Sequence, residues 1–329
     1  MLLIVTERFD PHVDFVEPLL DERAIPWRRF HLGDFPMGMS AGCEINNGNV
    51  GGSLCLNNQP LALKDIHAVW YRRTEKAKLP ADLDEGDRLL VEREARAFIQ
   101  GLWRLLDQAF WISNPDAIRQ ASSKAEQLVR AARFGFRVPP TCVSNDPDYI
   151  RAFLDRLGAE TEVIYKPHTP IMVDQPEGKT GVVYTTRLGR EERERLDEIR
   201  LTPGIFQAYI PKQVELRVTV VLDAVFACAI HSQSVAETRT DWRAHRWGDA
   251  TSYPRHEAFS LPAHIGDACR NLVASYGLIF GAIDLIFTPA GEYYFLELNP
   301  NGQWAWIQQN TGQPIREKLC SVIQECRGV

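Results

Sequence analysis

No CxxC pair, no long apolar run and no surplus of positive charge occur in these 329 residues, and each absence removes a class of protein. The cysteines number seven, at positions 43, 55, 142, 228, 269, 320 and 326. An odd count without paired spacing fits neither a structural zinc site nor a disulfide framework, so a reducing cytoplasm is the expected setting. No apolar stretch approaches the ~20 residues that cross a bilayer, which argues against a membrane partner. The opening MLLIVTERFD has no basic segment before its short apolar run, so it reads as a first strand rather than a signal peptide. Acidic residues outnumber basic ones, 43 to 37, and the net charge of -6 argues against a nucleic-acid partner. No internal repeat and no low-complexity tract interrupts the chain.

What is present is ordinary globular texture. Hydrophobic residues make up 45% of the chain, enough to build two or three cored domains. LLIVT at 2–6, the helically spaced VDFVEPLLDERA and the strand-like WRRFHL form a β-α-β opening, which points to a small open α/β domain. Asn-Gly turn signals between 40 and 70 predict hairpins, and IHAVWYRR at 66–73 returns as a strand. A long amphipathic helix is expected over 85–110, broken by WISNP at 111–115 with Pro115 as the stop. A further helix is expected over 117–135, closed by Gly135, and another over 147–158, before the strand TEVIYKP. REERERLDEI reads as a solvated helix. FQAYIP, VELRVTVVLD and AVFACAIHSQ read as strands. After a polar insert at 235–258 come a helix near 262–277, two strands joined by the turn PAGE, and a last helix at 311–326. The fold class is therefore α/β (α+β), with boundaries placed at 1–115, 116–205 and 206–329.

The chemistry concentrates late in the chain. In GAIDLIFT–PAGE–YYFLELNPN, Asp284 and Glu297 each sit among apolar neighbours, and a hairpin through Pro289, Ala290 and Gly291 can set them side by side. Glu297 and Asn299 are two apart in one strand and so share a face. Two carboxylates and an amide oxygen are hard donors suited to Mg²⁺ and nucleotide phosphates. The alternative for a single such acid is a structural pair with arginine. Lys166 ends the strand VIYKP and enters a Pro-bounded loop with Gly178, Lys179, Thr180 and Gly181, whose amides can face phosphates. Lys124 lies in the helical ASSKAEQL. In FQAYIPKQVELRV, Gln207 and Tyr209 flank apolar residues whose backbone can read an adenine edge. Glu215 and Arg217 share one strand face, suited to ribose hydroxyls and to phosphate or carboxylate, or simply paired with each other at the surface. Asp241, Trp242 and Arg243 lie in the polar insert, either as an exposed loop or as a presenter of cationic and aromatic groups to an acidic substrate. His231 reads as a satisfied core or rim histidine.

In this order and spacing, Lys124, Lys166, Gln207–Glu215–Arg217, Asp284, Glu297 and Asn299 resemble an ATP-grasp ligase over roughly 115–312. The opening MLLIVTERFD, VWYRR at 69–73, WISNP, KQVELRV at 212–218 and DWR at 241–243 resemble, more narrowly, the microviridin-type peptide maturases, the graspetide synthetases. The resemblance implies an ATP-grasp fold behind an N-terminal pre-ATP-grasp α/β domain. It implies ATP and Mg²⁺ as cofactors, with Lys124 and Lys166 on phosphates, and Gln207, Tyr209 and Ile210 on adenine. Glu215 would hold ribose, and Asp284, Glu297 and Asn299 the metal. Arg217 and Arg243 would face the γ-phosphate and the substrate carboxylate. It implies a precursor peptide with leader and core segments as partner, ω-ester or ω-amide ring closure as the reaction, and a homodimer. Two departures stand out: Ser123 precedes Lys124 where the broader pattern often has Asn, and the loop at 167–182 is poor in glycine. The rival readings are a ligase joining a free amino acid to a small molecule or protein tail, and a non-catalytic nucleotide-binding scaffold.

Overall fold

The computed structural model describes residues 1–169, 172–174, 180–182, 185–244 and 253–326. Strand β1 (Leu2–Thr6) is buried at all five residues because both faces of its sheet are covered: Leu2 and Ile4 enter one core cluster, Leu3 and Val5 another. Asp10 caps helix α1 (Pro11–Glu22), its carboxylate accepting from the His12 N–H, and Pro11 takes the first helical position where no N–H is needed. After β2 (Trp27–His31) come β3 (Ser40–Asn46), β4 (Asn49–Leu56) and β5 (Gln59–Ala62), a three-stranded antiparallel sheet. Its turns sit at Asn47-Gly48 and Asn57-Asn58, and all four residues have positive φ, as two-residue hairpin turns demand. Then follow β6 (Ala68–Tyr71), α2 (Glu85–Arg104) and β7 (Phe110–Ile112). Strands β2-β1-β6-β7 form one parallel sheet, so the β-α-β opening is present.

The next segment departs from the expected single helix. It is two helices, α3 (Pro115–Ala121) and α4 (Lys124–Arg133). Pro115 starts α3 rather than stopping α2; Asn114 caps it by accepting from the Asp116 N–H. The break at Ser122-Ser123 lets α4 turn onto a later strand. β8 (Thr141–Ser144), α5 (Pro147–Leu157), β9 (Val163–Lys166), the hairpin β10 (Met172–Asp174) and β11 (Thr180–Val182), β12 (Thr186–Arg187), α6 (Arg190–Glu194) and β13 (Gly204–Ala208) follow. Strands β12-β9-β13-β8 form an antiparallel sheet with α5 on its core face. The charged run expected as one helix is the short α6 followed by a 3-10 stretch over Leu196–Leu201.

The last sheet carries the chemistry. It comprises β14 (Val214–Val221), β15 (Ala224–Ile230), β16 (His256–Phe259), and, beyond α7 (Ala263–Ala274), β17 (Phe280–Phe287) and β18 (Tyr293–Asn299). The order is β16-β15-β14-β17-β18, antiparallel throughout, and β14 at its centre is buried at every residue. Helices α4 and α7 share one core with this sheet. The end of the chain forms α8 (Ala305–Thr311) and α9 (Ile315–Glu325), not one helix. Gly312 separates them at φ 70°, a left-handed conformation open to glycine at little cost. Trp304, fully buried, and α9 pack in one cluster with α1 and β1, tying the first sheet to the last. His12 on α1 accepts from the Ala305 N–H at 3.2 Å across the same seam.

Candidate active site

Three adjacent strands set three charges in a row. Arg217 on β14 lies opposite Asp284 on β17, and Asp284 lies opposite Glu297 on β18. The register then shifts: Leu285 faces Phe295, so Leu296 is an extra residue in β18. That bulge is what allows a carboxylate here. Strict alternation would put Phe295 and Glu297 on one face. Instead Phe295 and Leu298 enter the core beside α4, while Leu296 and Glu297 face a cavity. Leu296 is therefore a cavity residue. The Asn299 amide closes the row, Nδ2 donating to Glu297 Oε1 at 3.1 Å and to Asp284 Oδ2 at 3.5 Å.

Helix α4 brings Lys124 to this row. Buried Gln127, one turn on, clamps the outer edge of β18: its Nε2 donates to Leu298 O and its Oε1 accepts from the Leu298 N–H, both at 2.8 Å. Lys124 Nζ then lies 3.7 Å from Glu297 Oε2 and donates to Pro167 O. From the central sheet, Lys166 donates to Gln207 Oε1 at 2.8 Å, and Gln207 donates on to Thr141. The Tyr209 N–H already donates to Glu162 O. Glu215 accepts from Lys212 Nζ at 2.8 Å and not from Arg217, which turns to Asp284. Both Glu215 and Arg217 are buried, so a surface pair is excluded. Asp241, also buried, receives the Arg243 guanidinium through two bonds of 2.8 and 2.7 Å.

Nine of the eleven residues singled out in the sequence line one cavity of about 170 Å³ between the central and last sheets: Lys124, Lys166, Gln207, Tyr209, Ile210, Glu215, Arg243, Asp284 and Glu297. The other two, Arg217 and Asn299, line an adjoining cleft of about 700 Å³. Trp242 and Arg243 border both. The cleft adds Arg73 from the end of β6, and Trp306, whose ring meets Trp242 at 5.3 Å and His256 at 4.9 Å.

Residues 1–119 match the family model of the MvdD pre-ATP grasp domain. No curated sequence matches the chain. Among solved structures, macrocyclase MdnC of Microcystis aeruginosa MRC, bound with precursor peptide MdnA, superimposes with a TM-score of 0.86 at 28% identity, covering 98% of this chain and 99% of that one. The RiPP-associated ATP-grasp ligase of Chryseobacterium gregarium, in complex with ADP and a leader and core peptide, gives 0.88 at 29% identity, over 98% and 96%. Macrocyclase MdnB of Microcystis aeruginosa MRC gives 0.81 at 29%, over 98% of each. The chain is an ATP-grasp ligase, with an MvdD-like pre-ATP grasp domain over residues 1–119.

The ligase's acidic row is electrostatically unequal. Burial pushes the Asp284 carboxyl up to about 7; Arg217 pulls it down, but the neighbouring Glu297 opposes that. Burial acts on Glu297 in the same sense, yet Lys124, Arg243 and Lys166 outweigh it and hold the group at about 2. Lys166 is drawn down to about 8 by burial, with Glu297 opposing and Lys124 assisting. Asp241 is held at about 2: burial raises it, and the Arg243 bonds prevail. Arg217 touches Asp284 Oδ1 at 3.2 Å through Nε, without hydrogen-bond alignment. Its Nε and Nη1 are buried and have no hydrogen-bond partner among the described residues. Such donors cost free energy unless an anion meets them.

Sequence reasoning missed three parts of the ligase's site. Lys212 is a buried lysine spanning Glu215 and the Thr240 carbonyl, both at 2.8 Å; its signal was only its place two residues before a strand. Arg73 stood in the noted VWYRR without an assigned place, and Trp306 lies between the last expected strand and the last expected helix. His231 pairs with Glu257 at 2.7 Å and lines neither cavity, as a rim histidine should. Gly178, Lys179, Arg246 and Asp249 lie outside the described residues, and Thr180 and Gly181 belong to β11.

Proposed function

We propose that this ligase phosphorylates Asp or Glu side chains of a ribosomally made precursor peptide with ATP. It then closes ω-ester or ω-amide rings with Ser, Thr or Lys side chains of the same peptide. In the first step a carboxylate oxygen attacks the γ-phosphorus, giving an acyl phosphate and ADP. In the second a hydroxyl or amine attacks the acyl carbon and expels inorganic phosphate, so each ring costs the peptide one water. The observation that carries this reading is Arg217: a guanidinium with unpartnered buried donors, placed between a carboxylate row and a cleft wide enough for a peptide. Two of the structural neighbours hold precursor or leader and core peptides, and one of these holds ADP, which supports the same reading.

The roles follow from chemistry. Asp284, Glu297 and Asn299 form a hard-oxygen set fitted to Mg²⁺, and the fit rests on a raised Asp284 whose charge lacks full compensation. Bound there, the ion neutralises phosphate charge. Lys124 and Lys166 hold phosphates, Gln207 with the backbone of Tyr209 and Ile210 holds adenine, and Glu215, fixed by Lys212, holds ribose. Arg217 and Arg243 bind the γ-phosphate and the substrate carboxylate, Arg243 being held by Asp241. The cleft aromatics keep water from the acyl phosphate. We place the units at 1–115, 116–205 and 206–329, and the protein in the cytoplasm as a homodimer. The segment 167–205 holds the leader, although part of it lies outside the described residues.

The test follows intact mass of the candidate precursor peptide from a neighbouring gene, incubated with purified protein, ATP and Mg²⁺. Loss of one water per bond, abolished by Glu297→Ala, is the expected result. ATP consumption only on addition of free amino acids would instead indicate a small-molecule ligase, and no turnover with any peptide a scaffold.

A further inference from the structure

The cleft beside the carboxylate row is one-sided in charge. Arg73, Arg217 and Arg243 line it and no Asp or Glu does, among the described residues, although the whole chain carries a net charge of -6. Two of these arginines already have a carboxylate of the protein beside them. Asp284 lies 3.2 Å from Arg217, and Asp241 lies 2.7 Å from Arg243. The Arg73 side chain has neither an ion pair nor a hydrogen bond among the described residues. It borders the cleft alone, whereas Arg243 also borders the nucleotide cavity. The residue before it fixes its direction. The Arg72 N–H donates to Val5 O at 2.9 Å, carrying the pairing of β6 one residue beyond the strand. The Arg72 side chain, 2% exposed, turns inward and donates to Asp10 at 2.7 and 3.3 Å. Successive side chains of extended chain point opposite ways, so Arg73 is turned outward and stands exposed on the cleft. Its charge is felt inside the fold, where it opposes the charged forms of both Arg72 and His12. A bound anion would relieve that repulsion.

We propose that Arg73 binds a second carboxylate of the peptide substrate, other than the one being phosphorylated, and so selects peptides with two acidic side chains. The proposal rests on the peptide-ligase reading for the identity of the occupant. The reacting carboxylate belongs at the row, where Arg217 touches Asp284 and Arg243 borders both cavities. Arg73 enters the same cleft from the end of β6, on the first sheet, so a peptide lying in the cleft meets cations from two different sheets. A guanidinium receives a carboxylate through two parallel bonds, which fixes orientation as well as charge. Held at Arg73, the second acidic side chain would set which carboxylate of the peptide reaches the row. The cleft has no acid to repel either group, and a peptide without the second acid would leave Arg73 unmatched.

The test uses blocked alanine peptides carrying either one glutamate or two separated by one to five alanines, titrated by ligand-observed NMR against the full-length protein. Wild type should bind the best two-glutamate peptide about ten-fold more tightly than the one-glutamate peptide, as a charge-assisted pair is worth at a partly exposed site. In Arg73→Gln that gain should fall to about two-fold or less, a coupling between one arginine and one carboxylate. Arg133→Gln, which removes an exposed charge on α4 away from the cleft, should keep the gain of wild type. In precursor turnover Arg73→Gln should raise KM for peptide about ten-fold while KM for ATP moves less than two-fold. The same gain in wild type and Arg73→Gln, an equal loss in Arg133→Gln, or no saturable binding of any two-glutamate peptide would overturn the proposal. So would an equal rise in KM for ATP, which would put Arg73 on a phosphate. If wild type modifies no precursor, the ligase reading fails, whereas the glutamate titration still reports on Arg73.

Discussion

The acidic row should make the metal-free protein less stable than it needs to be, and Asp284→Asn exposes this. Asparagine is the neutral isostere of a protonated Asp284. The carboxyl of Asp284 stands at about 7 in the folded chain against 3.8 in its unperturbed state. A group whose folded pKa is raised is protonated in the native state while already ionised in the unfolded one. Stability therefore falls as pH rises from about 4 to about 7, and stays low above that. A gap of about three, at ~1.4 kcal/mol for each, gives about 4 kcal/mol at pH 8 and between about 1 and 2 kcal/mol at pH 5. The side chain is only 19% exposed, so solvent screening removes little of this. Glu297 moves the same way, since it loses a like-charged neighbour.

Chemical denaturation of wild type and Asp284→Asn, without divalent cation, at pH 5 and pH 8 measures the effect. The variant should be the more stable at pH 8, by up to about 4 kcal/mol, with the gap narrowing by about half or more at pH 5. Peptide turnover should be lost. Adding Mg²⁺ with ATP should raise the melting temperature of wild type and leave the variant near its starting value. A variant that is less stable than wild type at pH 8, or a difference independent of pH, would refute the reasoning, because the row would then be compensated within the protein.

Three further outcomes follow. Arg217→Lys keeps the charge but loses the planar fork, so kcat/KM for peptide should fall about 10²–10³-fold with melting temperature nearly unchanged, read by steady-state kinetics and thermal melting. Lys212→Met removes the cation between Glu215 and the Thr240 carbonyl; leaving a buried carboxylate unpaired should cost about 3 kcal/mol and raise KM for ATP, measured by denaturation and by ATP titration. His12 is held neutral down to about 3, chiefly by burial with Arg72 assisting; because the unfolded chain takes up a proton below about 6.5, stability should drop by about 2 kcal/mol between pH 7 and pH 5, and His12→Gln should flatten that slope in a pH series of denaturation midpoints.

The elements legible in the sequence are those whose cause is local. The β-α-β opening follows from hydrophobic period, and the 40–70 hairpins from residues that tolerate positive φ. Where the cause is tertiary, periodicity misleads. ASSKAEQL continues a helical pattern through Ser122 and Ser123, yet α4 must re-aim there so that Gln127 reaches the edge of β18. Pro115 reads equally as a stop or a start, and the Asn114 cap makes it a start. Trp304 is wholly buried beneath α1 and opens α8, a placement that depends on contacts distant in sequence. No short window contains α1 and α8 together.

The site shows the same division at the scale of one strand. A tight turn fixes the distance in sequence between Asp284 and Glu297, so their pairing was legible. The way the strand accommodates them was not, because YYFLELN presents apolar residues at successive positions and a strand has only two faces. One extra residue at Leu296 resolves the conflict: it lets Phe295 and Leu298 enter the core while Glu297 faces the cavity and Asn299 the adjoining cleft. Without that residue in the register, Glu297 would share the face of Phe295, among side chains that offer a carboxylate no partner, at a cost of several kcal/mol. The bulge is thus the local condition for the row of charges, and the row is the condition for Arg217 to keep donors unpartnered. A scaffold with no anion to bind would gain stability by replacing Asp284, the one member of the row whose charge the fold disfavours.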